Sequence, residues 1–350
     1  MRWAGIIRAV QAVIKPSPAP GFVLAEVAEP EPGDGEVLLR VAAASVCGSD
    51  VHLYDWNPWA ASRMRPPRVV GHEICGEVVA RGPGTSVAMG RRFAVESHVV
   101  CGICESCRRG DFHVCPNTRI LGVDIDGGFT ELVAVPQVNL IPIDADTRSE
   151  VAAALEPLGN AVHACSYRAL RDQAVAVFGC GPIGCAAVAV ARAEGAATVI
   201  AIDRNPYRLD LAERMGAQHM IVAGDDVEEQ VRRVTGGHDI DCALEMSGAS
   251  SAVVAATRLV RPGGWISLLG IGDAPTSLDL SNDVVMKGLS LHGVVGRRVP
   301  QTWDQTMAYV RSGAIDVGAL ITHHFAISEI QQAIELIKSG LCGKVSLHPG

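Results

Sequence analysis

The chain has 350 residues, 48% of them hydrophobic and 19% charged, with a formal net charge of −8. That is apolar material for a sizeable core in two domains of about 100–200 residues each, and it leaves no room for a mainly disordered chain. The acidic balance argues against nucleic acid or an anionic membrane surface as a partner. The opening stretch "MRWAGIIRAVQAVIKPSPAPG" is broken by Arg8 and Gln11 and runs into prolines. It reads as a leader into a first strand, not as a signal peptide. No run approaches the roughly 20 unbroken apolar residues of a membrane span. A cytoplasmic, reducing setting is expected. There the 11 cysteines, an odd number, read as metal ligands and buried thiols rather than as a disulfide framework.

Up to about residue 150 the pattern predicts short strands. "FVLAEVAEP", "GEVLLRVAAAS", "ICGEVVARG", "RRFAVES" and "FTELVAVP" carry β-branched residues between Gly, Pro and acidic turn residues. This predicts a β-rich, barrel-like domain. "SEVAAALEPLGNAVHACSYRAL" then predicts one helix, with Ser149 as its N-cap. Alternation follows: strand "AVAVFG", helix "GPIGCAAVAVARAEG", strand "TVIAID", helix "NPYRLDLAERMG", and further strands in "HMIVA", "DIDCALEMSG", "WISLLG" and "LSLHGVVG". Strands alternating with helices predict a parallel sheet with right-handed crossovers. From about residue 299 come a helix ("QTWDQTMAYVRSG"), a strand ("HHFAI"), a helix ("SEIQQAIELIKSG") and a last strand ("KVSLH").

Three groups of residues carry chemistry. Gly179, Gly181 and Gly184 fall in G-x-G-x-x-G spacing between a strand and a helix. Bare backbone there lets a pyrophosphate reach the helix N-terminus. Asp203 ends the next strand, about 20 residues on, where a carboxylate accepts from an adenosine ribose hydroxyl. It points to NAD over NADP, although Arg204 beside it is able to pair with a 2′-phosphate. The second group is Cys101, Cys104, Cys107 and Cys115, spaced C-x2-C-x2-C-x7-C. Four thiolates leave a metal no open position, which suits a structural Zn2+; an iron–sulfur cluster and a redox dithiol remain alternatives at this spacing. The third group, Cys47, His72, Glu73 and Glu156, is the mixed thiolate, imidazole and carboxylate set of a catalytic zinc. Spacing alone does not bring its members together.

In combination these motifs resemble the zinc-dependent medium-chain alcohol dehydrogenases over nearly the whole chain. "GDG" before the Cys47 strand, "GHE", the four-cysteine lobe and the glycine turn fall in family order. The likeness is greatest to the threonine-oxidising branch, through "DVHLYDWNPWAASRMRPPRVVGHE", "EPLGNAVH", "EMSGA" and "GVVGR" followed by "TW". The resemblance implies a mixed α/β fold. A GroES-like catalytic domain would take residues 1–160 and 299–350, with a zinc lobe at about 97–118. A Rossmann NAD-binding domain would take 161–298. It implies Cys47, His72 and Glu73 as catalytic zinc ligands, Glu156 as a fourth or exchanging ligand, and structural zinc in the lobe. It makes Ser49 and His52 a proton relay through the coenzyme ribose. It adds Ile183, Arg208, Leu269, Gly270, Ile271, Val294 and Val295 to the coenzyme contacts. The implied reaction is NAD-linked oxidation of a secondary alcohol, L-threonine first, with a polyol, a 2,3-diol or another 3-hydroxy amino acid as alternatives. A homotetramer pairing through the "LSLHGVV" edge is implied as well. The chain departs from the branch at Ser49, where threonine is usual, and at Gln301, where an acid is usual. Arg297 or Arg298 is a candidate for the substrate carboxylate, and Trp56, Trp59 and Trp303 for pocket walls.

Overall fold

The computed structural model describes residues 8–272 and 274–350. Residues 1–7 of the expected leader lie outside the described residues; Ala9–Lys15 within it is itself a strand. The chain divides into two compact units. The first runs to Glu156 and adds Ile321–Ser339 and Lys344–Gly350; the second is Pro157–Leu320 with Gly340–Gly343. Among the described residues, no helix is long and apolar enough to cross a membrane.

The first unit is built on the long strand Glu36–Val46. It pairs antiparallel with Glu73–Arg81, Leu132–Pro136 and Lys344–His348 within a seven-stranded sheet. Val37, Leu39 and Ala43 are fully buried, and so nearly are Leu38 and Ala44 between them. Both faces of the strand are therefore covered. Register breaks at Leu38/Leu39 and Val41/Ala43 add the local bend that curls a sheet toward a barrel. A three-stranded sheet of Val23–Ala28, Ala9–Lys15 and Arg68–Val69 completes the unit's β structure beside a short Cys-lobe pair, His98–Val99 with Arg119–Ile120.

The second unit holds six parallel strands. In spatial order they are His219–Val222, Thr198–Asp203, Ala174–Phe178, Ile240–Glu245, Val260–Leu268 and Ser290–Gly293. This is the 3-2-1-4-5-6 order of the Rossmann fold, with its switch point between Ala174–Phe178 and Ile240–Glu245. Apolar runs such as Ile200, Ile202, Ala243 and Ile266 are buried because helices cover both faces. The "LSLH" strand does lie at the sheet edge.

Two expectations change. The predicted helix from Ser149 is two helices, Ser149–Ala153 and Leu155–Cys165. Pro157 has no N–H to give the Ala153 carbonyl, so the ladder breaks there. Arg148 holds the N-cap position; the Ser149 hydroxyl instead accepts from Arg92 at 3.0 Å. Residues 299–320, expected with the catalytic domain, cluster with the second unit. Their helix Gln301–Arg311 buries Trp303, and the Tyr309 hydroxyl donates to Glu194 just past the helix Pro182–Ala193. Trp303 is thus a core residue of that unit.

Candidate active site

Cys47 closes the Glu36–Val46 strand and caps the helix Gly48–Asp55. His72 and Glu73 lie at the start of the neighbouring strand. The register opposes Glu73 to Ser45, two residues before Cys47, so pairing alone brings the segments together. Gly71, at φ +94°, permits the approach: a Cβ there would fall 2.1 Å from the Phe129 ring. The thiol of Cys47, a ring nitrogen of His72 and a Glu73 oxygen lie within 4.8 Å of one another. His72 and Glu73 are buried, and Cys47 is half-buried. Glu156, also buried, accepts from the Ser97 hydroxyl at 2.5 Å. Its charge reaches both His72 and Glu73, though it is not one of the tight trio.

Two groups that sequence reasoning missed organise this trio. Asp50 is completely buried; it accepts the Cys47 backbone N–H at 2.9 Å and stands 3.6 Å from His72 Nδ1. The other ring nitrogen, Nε2, lies 3.3 Å from the Ser49 hydroxyl. A carboxylate behind Nδ1, with Nε2 turned away from it, is the arrangement that orients an imidazole toward a metal. The acid three residues after Cys47, at N3 of the helix, was its sequence signal. Lys344 comes from the other end of the chain with no such signal. Its ammonium is buried 2.5 Å from the Glu73 carboxylate and donates to the Val46 carbonyl. Burial favours neutral His72, but Asp50 and the Cys47 thiol outweigh it and push the imidazole up to about 10. The trio thus brings a thiol, an imidazole and a carboxylate together, the mixed donor set that suits a divalent cation.

In the lobe, Cys101, Cys104, Cys107 and Cys115 also converge within 4.8 Å. Cys115 Sγ is 3.6 Å from Cys101 and 3.8 Å from Cys104. Sulfurs about 2.3 Å from one ion at tetrahedral angles stand about 3.8 Å apart, whereas a disulfide needs about 2.05 Å. The cage is sized for one ion and is too small for a cluster of several irons. All 11 cysteines are free of disulfides. The N–H of Ile103, then the Asn117 amide, pull the Cys101 thiol down to about 6, which favours the thiolate a metal needs. Arg109 spends its charge on Glu105, and Arg108 donates to the Ile103 carbonyl.

In the second unit each glycine of the turn has a separate role. Gly179 sits at φ +89° against Ser247, where a Cβ would come within 2.7 Å. A Cβ on Gly184 would lie 1.8 Å from the Gly179 carbonyl oxygen, so the helix packs on its own turn. A Cβ on Gly181 would meet nothing within 4 Å. Its φ of −63° suits any residue, so the space outside it is the one reason left for glycine. Asp203 accepts N–H bonds from Cys180 (2.7 Å) and Asn205 (2.8 Å). With Gly179, Gly181, Arg204 and Arg208 it lines a cleft of about 520 Å3 at the carboxyl ends of the strands. Ile183 occupies the first turn of the Pro182–Ala193 helix. Leu269 and Gly270 are held by the Glu245 carbonyl, and Val294 by that of Leu268. Ile271 and Val295 leave 81% and 50% of their surface exposed beside those strand ends, an apolar rim available to a ligand. Arg297 is buried in this unit against Gly159 and donates to Asn160 at 3.0 Å; Arg298 is exposed.

A family described as "Zinc-binding dehydrogenase" matches residues 182–312, and "Alcohol dehydrogenase GroES-like domain" matches 33–145. The L-threonine 3-dehydrogenase of Bacillus licheniformis is 44% identical over 342 residues, covering 97% of this chain and 99% of the relative. The chain belongs to the zinc-binding alcohol dehydrogenases. Two solved structures are similar to it. A short chain alcohol dehydrogenase of Escherichia coli CFT073, complexed with NADH, superposes with a TM-score of 0.90 at 29% identity, covering 97% of this dehydrogenase and 99% of that chain. The 2R,3R-butanediol dehydrogenase of Bacillus subtilis gives 0.87 at 26%, covering 97% and 100%.

Proposed function

We propose that this dehydrogenase oxidises the 3-hydroxyl of L-threonine to 2-amino-3-oxobutanoate, with NAD as hydride acceptor. The observation that carries the reading is the convergence of Cys47, His72 and Glu73 at the start of the helix that also bears Ser49 and His52. The near-full-length relative that acts on L-threonine supports the substrate. Cys47, His72 and Glu73 would hold the catalytic zinc, with Glu156 as a fourth or exchanging ligand, and the four lobe cysteines would hold a structural zinc. Bound there, zinc would supply Lewis acidity toward an alcohol oxygen, and NAD would supply a hydride acceptor.

The protein's own residues manage the proton. Ser49, beside His72 Nε2, is placed to accept the hydroxyl proton, since a hydroxyl accepts and donates at once. His52 lies one helical turn on, exposed, and passes the proton to solvent. Asp50 holds the Cys47 backbone and the back of the His72 ring, so it orients both donors. Asp203 supports NAD, because its carboxylate would repel a 2′-phosphate. Arg204 and Arg208 in the same cleft are the groups that would have to offset it.

The second reading is a 2,3-diol or polyol, favoured by Ser49 and by the likeness to the butanediol enzyme. Initial rates with NAD for L-threonine, 2,3-butanediol and sorbitol separate the two. L-threonine is expected to lead in kcat/KM by about a hundredfold, the discrimination available when charged and polar substrate groups are met by the site. A diol leading by that margin would replace the first reading with the second.

A further inference from the structure

The helix Gly48–Asp55 ends in a left-handed residue, Trp56 (φ 56°, ψ 48°), and the chain turns straight into the helix Pro58–Arg63. Asn57 stands between the two. One atom of its side chain accepts the Ala60 backbone N–H at 3.0 Å. A backbone N–H only donates, so that atom is the amide oxygen. The amide nitrogen is then the atom 2.9 Å from His52 Nδ1. An amide NH2 only donates, so Nδ1 must accept, and the neutral ring carries its proton on Nε2. The Ala60 N–H thereby sets the tautomer of an imidazole on the preceding helix.

From this geometry we propose that Asn57 is a positioning residue that holds His52 as the Nε2–H tautomer with its one basic lone pair occupied. The inference rests on the reading of His52 as a relay group. A proton reaches Nδ1 only when the Asn57 contact opens. The protonated ring would then set two donors face to face, so the Asn57 contact re-forms only on the neutral Nε2–H ring. Asn57 therefore returns the relay to its discharged form after each turnover. Few other groups compete for the ring. Trp59 meets it edge-on at 6.2 Å; Asp55 is paired with Lys338 at 2.7 Å, and Arg63 with Asp124 at 2.8 Å.

The test is Asn57→Asp. An aspartate still accepts from the Ala60 N–H, and Asp equals Asn as a helix cap, so the fold is kept. Its second oxygen accepts where the amide donated. Nitrogen-15 NMR of the His52 ring in the wild-type protein is expected to show protonation at Nε2, and in Asn57→Asp at Nδ1. The variant's kcat is expected to fall by about tenfold, within the range of a disturbed proton transfer, with KM little changed. An Nδ1–H ring in the wild type would overturn the proposal. So would an unchanged kcat in Asn57→Asp while His52→Ala slows the enzyme. If His52→Ala also leaves kcat unchanged, the relay reading itself fails, and the role of Asn57 fails with it.

Discussion

Replacing Cys47 by serine is expected to lower kcat by at least about a thousandfold and to reduce bound zinc from two ions per chain to one. Changing even outer-shell partners of a metal typically costs about 10–100-fold, and Cys47 is placed to bind the ion directly. Serine offers a neutral hydroxyl where the site offers a thiolate, and a zinc ligand must be deprotonated at neutral pH. The rest of the cluster then works against retention. Glu73 is already shared with Lys344 and Ser45, so His72 alone cannot compensate. The fold should survive, because one sulfur at a half-buried position becomes an oxygen. Far-ultraviolet circular dichroism should be unchanged, and Tm should fall only by the stabilisation the lost ion supplied. Retained activity, or two zinc ions in the variant, would remove Cys47 from the catalytic set.

Alanine at Gly181 and at Gly184 should fail in opposite ways. At Gly184 the new Cβ lies 1.8 Å from a backbone oxygen, which no rotamer relieves, so the helix Pro182–Ala193 must shift off its turn. Overpacking of this kind costs about 1–3 kcal/mol or more, and Tm should drop by several degrees. At Gly181 the Cβ enters open space, and φ is already one that alanine prefers. Tm should stay within a degree or so of wild type. Yet the methyl group occupies the approach a pyrophosphate makes to the helix N-terminus. NAD affinity, followed by NADH fluorescence or calorimetry, should weaken by about tenfold or more, since each 1.4 kcal/mol is tenfold. A Gly181→Ala protein that binds NAD normally would show that the dinucleotide does not pass over this turn.

The parallel unit was the more legible half of the sequence. "TVIAID" names its strand residue for residue, and "HMIVA" and "AVAVFG" overrun theirs by a single residue, because β-branched runs between turn residues have no other use for their backbone. The glycine turn was legible too, since each glycine answers a steric demand that acts over a few residues. What was hidden depends on distant partners. The helix break at Ala154 was readable only by noting that Pro157 starves the Ala153 carbonyl. The placing of Gln301–Arg311 depends on Tyr309 meeting Glu194, more than a hundred residues away, and nothing local announces it. At the site, Cys47, His72 and Glu73 were named as types of ligand, but their approach comes from the Ser45–Glu73 register. Lys344 stayed invisible because a lysine opening a strand reads as a surface residue until its carboxylate partner is known.

Catalysis at this site requires Cys47 and His72 to share one cation, distinct from the ion of the cysteine lobe. Anomalous diffraction at the zinc absorption edge, from crystals of the zinc-loaded protein, tests this most directly. Two peaks per chain are expected. One should lie inside the sulfurs of Cys101, Cys104, Cys107 and Cys115, and the other about 2.3 Å from Cys47 Sγ and about 2.0–2.1 Å from His72 Nε2. A single peak, confined to the lobe, would contradict it.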